Sequence, residues 1–166
     1  MQNTAINITE QEIWKLLEQV YDPEIPVLSV IDLGIIRDVQ LDNEEIRVFI
    51  TPTYSGCPAM DVISMTIRMA LLKEGFKNIK ITQQLSPAWT TDWMTEKGKE
   101  KLMAYGISPP VGKSVDKKYA TEVLKIRCPL CHSKNTRLVS QFGSTACKAL
   151  YQCNDCLEPF DYFKCH

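Results

Sequence analysis

The sequence predicts an α+β protein with a compact helix-strand-strand-helix-strand-helix domain followed by a small β ribbon. Three observations support this prediction. Apolar residues recur at helical spacing in three segments, they alternate in three others, and two CxxC pairs lie near the end of the chain. The expected boundaries are 1–106 for the domain, 107–125 for a linker containing PPVGKSVDKK, and 126–166 for a four-cysteine zinc ribbon.

The net charge and composition of the chain indicate which classes of partner are not expected. The chain has 166 residues, 19 basic and 20 acidic side chains and a formal net charge of -1. Such a charge gives no long-range attraction to phosphate backbones or anionic lipid, so neither nucleic acid nor a membrane is an expected partner. The first thirty residues contain no signal peptide or membrane helix, which predicts a cytoplasmic protein. In a reducing cytosol, seven cysteines favour metal or thiol chemistry over disulfides.

The first element is a short amphipathic helix. Thr9 and Glu12 form a capping box, and Pro23 ends the helical pattern. Pro26 keeps the following DPEIPVLSVIDLG segment extended, with Gly34 at its tight turn. The helix carries apolar residues at i, i+3, i+4 and i+7: Ile13, Leu16, Leu17 and Val20.

A hairpin and a second helix follow. Alternation predicts strands from Ile35 to Leu41 and from Ile46 to Thr51, joined at Asp42 and Asn43. After TPTYSGCP, helical spacing returns and Gly75 suits the C-terminal cap. The apolar positions of this helix are Met60, Ile63, Ile67, Ala70 and Leu71.

A third strand and a last helix complete the predicted domain. The strand carries Ile79, Ile81, Gln83 and Leu85, and SPAW ends it. Thr91 is expected to cap a helix that runs to about Tyr105 and stops at Gly106. Trp89 and Trp93 fit core packing or a partner surface better than a cofactor site.

The two CxxC pairs predict one structural zinc ion. Cys128 and Cys131 form the first pair and Cys153 and Cys156 the second, with 21 residues between the pairs. A tail this small rarely folds on a hydrophobic core alone, and structural zinc contributes on the order of 10 kcal/mol. Two alternatives remain open: buried free thiols, and a redox dithiol. With the metal counted, the ribbon carries a net charge of about -1, which disfavours phosphate binding.

Four further side chains near the ribbon are spare candidate ligands without an assigned role: His132, Cys147, Cys165 and His166. Cys147, in FGSTACK, suits a packed small residue as well as a ligand.

Cys57 is the candidate reactive group of the first domain. It follows Gly56 and precedes Pro58, where a strand turns into a helix whose dipole stabilises a thiolate. A buried small residue at a tight turn is the alternative interpretation. The acidic residues of the preceding loop, Asp22, Glu24 and Asp32, would serve as oxygen ligands near Cys57 or as caps of turns.

Three segments resemble a known family. DPEIPVLSVIDLGII, TPTYSGCP and WTTDWMTEKGKEKLMAYGISPP resemble SufT-like iron–sulfur assembly domains. FGSTACKALYQCNDCLEPFDYFKC narrows the resemblance to the PaaD (PaaJ) family, the small subunits encoded with phenylacetyl-CoA epoxidase (phenylacetate-CoA oxygenase) systems. The resemblance covers nearly the whole chain.

The resemblance implies a noncatalytic accessory protein of aerobic phenylacetate degradation that assists maturation of an iron–sulfur or di-iron centre. Its implied cargo is transient iron or a cluster, handled by Cys57 with Asp22, Glu24 and Asp32. Its implied partners are other epoxidase components or an iron–sulfur client protein, and a homodimer is also compatible with it.

Two competing functions stay open. The ribbon and its aromatic strand, with Phe160, Tyr162 and Phe163, favour a structural subunit held stably in the epoxidase complex. A thiol-disulfide enzyme that uses one CxxC pair is the other.

Overall fold

The computed structural model describes residues 9–42, 45–111 and 126–164, and the chain divides into two compact units, Met1–Ala88 and Trp89–His166. This division differs from the expected domain boundary at residue 106, because the last helix groups with the ribbon. Ile107 and Ser108 also depart from the prediction of a linker over 107–125, since they form a buried strand. Of the rest of that linker, residues 109–111 have no regular secondary structure and residues 112–125 lie outside the described residues.

The first unit contains two helices and a three-stranded sheet. Its elements are α1 (Glu10–Leu17), β1 (Ile36–Asp42), β2 (Glu45–Ile50), α2 (Ala59–Lys73) and β3 (Asn78–Gln83). The sheet order is β1-β2-β3, with β1 antiparallel and β3 parallel to β2. The parallel pair requires a crossover connection, and α2 supplies it.

Helix α1 begins at the predicted capping box. The Thr9 hydroxyl accepts from the Glu12 backbone N–H at 3.4 Å, and Glu12 Oε2 accepts from the Thr9 N–H at 2.8 Å. The helix buries Ile13 and Leu17.

Apolar side chains from the sheet and both helices form the core of this unit. The inward positions of β2 are Ile46, Val48 and Ile50, alternating with half-buried residues as the sequence pattern predicts. On α2, the predicted apolar positions are buried except Ala70, which is half-buried. They recur every three or four residues, which places them on one helical face.

The second unit joins one helix to a four-stranded sheet. Its elements are α3 (Glu96–Tyr105), β4 (Ile107–Ser108), β5 (Thr136–Ser140), β6 (Lys148–Cys153) and β7 (Pro159–Phe163). The sheet order is β4-β7-β6-β5, antiparallel except for the parallel β4–β7 pair. The predicted ribbon therefore has three antiparallel strands, extended by a short strand that lies before it in sequence.

The last helix begins later than expected. Thr90 caps a short 3₁₀ turn, Thr91–Trp93, and α3 starts only after Thr95, whose hydroxyl accepts from the Gly98 N–H at 2.9 Å. Two Ser/Thr caps lie five residues apart, and the later one begins the α-helix. Gly106, at φ +94°, ends it as predicted.

The predicted α+β class is confirmed by the mixed helices and strands. The predicted turn between β1 and β2 includes Asn43, which lies outside the described residues. None of the helices in the described parts of the chain is both long and apolar enough to span a membrane.

Candidate functional site

Two similar turns bring the four CxxC cysteines together. In the first, the Cys128 N–H donates to Ser133 O at 2.8 Å. In the second, the Cys153 N–H donates to Glu158 O at 3.0 Å. The β5–β6 hairpin brings the two turns together, because Thr136 at the start of β5 pairs with Cys153 at the end of β6.

The four thiols form a compact cluster. Their sulfur atoms all lie within 4.8 Å of one another, with 3.7 Å between Cys128 and Cys156 and 3.5 Å between Cys131 and Cys153. Four sulfurs bonded tetrahedrally to one zinc at about 2.3 Å would lie about 3.8 Å apart. The four donor atoms therefore fit one zinc ion.

Backbone N–H groups and neighbouring sulfurs shift the pKa values of the cluster thiols in opposite directions. Hydrogen bonds from the N–H groups of Cys156 and Asp155 lower the pKa of Cys153 to about 7. The pKa of Cys156 is lowered by the Glu158 N–H, but desolvation and the neighbouring sulfurs outweigh this and raise it to about 12. Four thiolates at such short distances repel one another, so a cation is needed to hold them all ionised.

A second set of hydrogen bonds ties the two turns to each other. The Asp155 carboxylate accepts from the Ser133 hydroxyl and, at 2.7 Å, from the Asn135 amide. The Asn154 N–H donates to Asn135 O at 2.8 Å. These contacts hold the two CxxC turns against each other and so help to orient the thiols.

The aromatic strand of the ribbon lies in its core. Phe160, Tyr162 and Phe163 are all buried, and the Tyr151 ring stacks on Phe160 with 6.0 Å between centroids. Tyr162 packs with Ile126, Cys128 and Cys153 in one apolar cluster under the metal site. These three aromatic side chains therefore stabilise the ribbon itself and do not form an exposed surface. Aromatic and polar residues alternate from Phe160 to Tyr162, a pattern typical of a strand with one buried face.

Cys57 lies in the loop before α2 and is half-buried. Its N–H donates to Tyr54 O at 3.3 Å, and its carbonyl accepts from the Met60 N–H at 3.3 Å. Gly56 precedes it at φ +84°, a conformation that favours glycine. Pro58 occupies the N-cap of α2 without a side-chain capping bond. The positive end of the helix dipole therefore lies beside the thiol.

Two carboxylates of the acidic loop, Asp22 and Asp32, are engaged in turns. Asp22 Oδ1 accepts from the N–H groups of Glu24 and Ile25 at 2.7 and 2.8 Å. Ser29 and Asp32 cap each other, with side-chain to backbone hydrogen bonds of 3.1 and 3.0 Å. These contacts support the turn-capping alternative for Asp22 and Asp32.

The remaining candidates lie outside the thiol cluster. Among the described residues, the His, Cys, Asp and Glu side chains grouped closely enough to share one ion are the four ribbon cysteines, without Cys57, His132 or Cys147. Cys147 is buried, and its sulfur lies 3.0 Å from the Thr145 hydroxyl. Cys165 and His166 lie outside the described residues. Trp89 is buried with its ring edge against Phe163, which fits the predicted core role.

Sequence reasoning missed one polar cluster. Buried Lys148 forms an ion pair with Asp161 at 3.7 Å, and Asp161 also accepts from the Ser144 hydroxyl at 2.8 Å. A lysine on a strand normally indicates a solvent-exposed face, so its burial could not be read from the pattern.

The fold and the thiol cluster define a class of protein: an α+β domain followed in sequence by a four-cysteine ribbon suited to zinc. Residues 10–82 match the family model described as iron–sulfur cluster assembly protein, and residues 112–164 match the PaaD zinc beta ribbon domain. The chain belongs to the PaaD family. It is 54% identical over 154 residues to a candidate component of 1,2-phenylacetyl-CoA epoxidase from Escherichia coli K12, covering 93% of this chain and 92% of that protein.

Other relatives are similar to the iron–sulfur cluster assembly part of the chain. An Fe-S protein maturation auxiliary factor from Porphyromonas gingivalis is 40% identical over 96 residues, covering 57% of this chain and 90% of that protein. A solved DUF59 domain of unknown function from Bacillus anthracis is 28% identical with a TM-score of 0.52, covering 56% of this chain and 90% of its own. A conserved hypothetical protein from Thermotoga maritima is also 28% identical, with a TM-score of 0.51 and coverages of 60% and 98%.

The predicted structural zinc agrees with this family. The zinc ribbon model spans all four cysteines, and their sulfur geometry fits zinc independently. A bound zinc ion would be held by Cys128, Cys131, Cys153 and Cys156 and would link the two CxxC turns.

Proposed function

We propose that this protein is an accessory maturation factor of the phenylacetyl-CoA epoxidase system, which assists assembly of an iron–sulfur or di-iron centre in partner components. One observation carries the proposal: an iron–sulfur assembly domain and a PaaD ribbon occur in one chain that is 54% identical to a candidate epoxidase component. In this proposal the protein is noncatalytic and acts in the cytoplasm on aerobic phenylacetate degradation.

Cys57 is the proposed residue for handling transient iron or a cluster. Its half-buried side chain belongs to the loop that leads directly into α2, and cysteine sulfur is the usual ligand of iron–sulfur clusters. Asp22 and Asp32 hold the shape of the acidic loop through their turn contacts, and half-buried Glu24 is its remaining carboxylate.

The proposed zinc ligands are Cys128, Cys131, Cys153 and Cys156. Their sulfur distances support a closed structural site, which leaves Cys57 for the transient cargo. The proposed partners are other epoxidase components or an iron–sulfur client protein, and a homodimer remains compatible with the role.

The test compares Cys57→Ala with the matched control Ser55→Ala, an exposed residue of the same loop. Each variant is co-expressed with the epoxidase components in cells that lack the native protein. We expect Cys57→Ala to keep its zinc while lowering the iron content and activity of the purified epoxidase, and Ser55→Ala to leave both unchanged. Full epoxidase metallation in the Cys57→Ala cells would exclude the proposal.

The alternative of a structural subunit predicts a different result in the same cells. A structural component would co-purify with the epoxidase in fixed stoichiometry whether or not Cys57 is present. A maturation factor is expected to be substoichiometric in the mature complex. The thiol-disulfide alternative predicts reversible oxidation of a CxxC pair, and zinc retained under mild oxidant would exclude it.

A further inference from the structure

Helix α2 is apolar on two sides, and only one of them lies in the core. Its buried residues include Ile63, Ile67 and Leu71. Four further apolar side chains of the same helix are between 45% and 69% exposed: Val62, Met65, Met69 and Leu72. We call these four residues the α2 stripe. A helix that is apolar all round is normally covered on all sides, so the α2 stripe indicates a second packing surface.

The α2 stripe has the spacing of a helix-pairing surface. Its members are separated by three, four and three residues, which is the spacing of a and d positions in a heptad repeat. Each residue turns the helix by about 100°, so the four side chains fall within an arc of about 80°. The same rotation places them opposite the buried face around Ile67. The α2 stripe is therefore one continuous surface along the helix.

The order of residues in the α2 stripe is self-complementary. A two-fold symmetric interface requires that a residue contacted on the second copy makes the same contact in return. In an antiparallel pair of α2 helices centred on Ile67, Val62 lies level with Leu72 of the second copy, and Met65 with Met69. Both pairs have the same midpoint in sequence, so every member of the stripe has an apolar counterpart.

Charges beside the α2 stripe favour the antiparallel orientation. Asp61 and Arg68 lie on one side of the stripe, and Thr66 and Lys73 on the other. Antiparallel helices bring equivalent sides together, which places Asp61 near Arg68 of the second copy. Parallel helices would instead oppose Arg68 and Lys73, which is unfavourable. Arg68 donates one hydrogen bond to Ile79 O at 3.0 Å, which leaves further guanidinium N–H groups for a carboxylate.

We propose that the α2 stripe is the interface of a homodimer in which two α2 helices pack antiparallel. The helix is about 22 Å long, so the contact covers about two heptads and is small for a protein interface. The dimer is therefore weak and depends on protein concentration. The two Cys57 loops lie at opposite ends of the helix pair, more than about 20 Å apart, so the copies do not share one cargo site.

The first experiment measures dimerisation of the full-length, zinc-loaded protein by sedimentation velocity between roughly 1 and 300 µM. The variants are Met65→Lys and Met69→Lys, and the control is Leu85→Lys, at an apolar position outside α2 that is 65% exposed. We expect each stripe variant to raise the dissociation constant at least about tenfold, and the control to stay within about twofold. Lysine is a good helix former, and circular dichroism with zinc content checks folding.

The second experiment tests the orientation of the helices. Asp61→Lys should weaken the dimer, and adding Arg68→Glu should restore part of the loss because the attraction is then reversed. A mixture of Val62→Cys and Leu72→Cys proteins should be cross-linked by a short bismaleimide in higher yield than either variant alone. Wild-type protein under the same conditions gives the background from the native cysteines.

Four results would overturn the proposal. They are a wild-type protein that stays monomeric over the whole concentration range, an equal loss for Leu85→Lys, cross-linking of either cysteine variant alone as efficient as that of the mixture, or stripe variants that weaken binding of an epoxidase component to a monomeric wild type. The proposal is independent of the proposed function, since Cys57→Ala should leave the dimer unchanged whether or not it lowers epoxidase metallation.

Discussion

Leu157 adopts a backbone conformation that suits glycine. It directly follows the second CxxC pair at φ +66°, and His132 has the equivalent position after the first pair at φ +62°. A left-handed conformation costs a non-glycine residue roughly 1–2 kcal/mol. The Leu157 side chain is 69% exposed, so little packing offsets this cost.

Leu157→Gly should therefore stabilise the ribbon. Relief of the backbone strain exceeds the entropy cost of glycine, which leaves a net gain of about 0.5–1 kcal/mol. The midpoint of guanidinium unfolding, followed by zinc release, measures the change. Leu157→Val should destabilise, since a β-branched residue suits this conformation least. Leu130→Gly, in the first turn at a position without positive φ, is the matched control and should destabilise. A lower midpoint for Leu157→Gly would contradict the expectation.

Lys148 and Asp161 form an ion pair, so the effects of substituting them on the free energy of unfolding should not be additive. Asp161→Asn leaves a buried ammonium without its counter-charge, at a cost of about 1–3 kcal/mol. Lys148→Met removes that ammonium. The double variant should therefore be less destabilised than the two single variants added together, by about 1 kcal/mol or more. Unfolding free energies of the four proteins give the coupling, and simple additivity would show that the pair contributes nothing specific.

Helix α1 depends on an ionised cap. Hydrogen bonds from the Thr9 backbone N–H and hydroxyl hold the pKa of Glu12 below its ordinary value of 4.5. The resulting stabilisation is fully present above pH 4.5 and is lost as the pH falls through the lower folded-state pKa. Thr9→Ala should cost about 1 kcal/mol at neutral pH.

The pH dependence is checked with Glu12→Gln. Denaturant unfolding of wild type and variant, followed by circular dichroism, should differ at neutral pH and converge well below pH 4.5. Both proteins share any acid effect on the ribbon, so their difference isolates the cap. Exposed Glu18, just beyond the helix, offers Glu18→Gln as the control, and an equal pH dependence there would contradict the capping explanation.

Local sequence patterns predicted most of the helices and strands. They failed where the structure depends on contacts between residues far apart in the chain. The capping box, the apolar spacing of α2 and the alternation of β2 depend on near neighbours, and each agrees with the structure. Strand β4 escaped prediction because two residues carry no period and Ile107 pairs with Asp161, far along the chain. Thr91 and Thr95 were equally good caps by composition, and only the folded chain shows which begins α3.

The candidate site residues were likewise predictable where the sequence signal is local, and not where their role depends on the folded surroundings. The x2 spacing of the CxxC pairs is a local signal, and the four thiols it predicted do come together. The carboxylates of Asp22 and Asp32 could be ligands or caps from sequence alone, because the distinction depends on where the neighbouring N–H groups point. Burial of the aromatic strand depends on the strands that pair beside it, which the local sequence does not reveal.

Each unit has its own source of stability. The first unit buries a core made from α1, α2 and its sheet. In the ribbon, the apolar cluster is small, and two of its buried members are the cysteines Cys128 and Cys153 themselves. Structural zinc supplies on the order of 10 kcal/mol to such folds, more than a cluster of this size provides.

Removal of zinc should therefore unfold the ribbon and spare the first unit. Hydrogen exchange followed by mass spectrometry, before and after treatment with a strong chelator, measures this by segment. We expect peptides from β5, β6 and β7 to lose protection, while peptides from β2 and α2 keep theirs. Cys153→Ser should give the same pattern without chelator, and Cys147→Ser, outside the thiol cluster, should keep its zinc and its protected strands. Uniform loss across both units would show that their stabilities are linked, and retained protection in the ribbon would show that its apolar cluster suffices without metal.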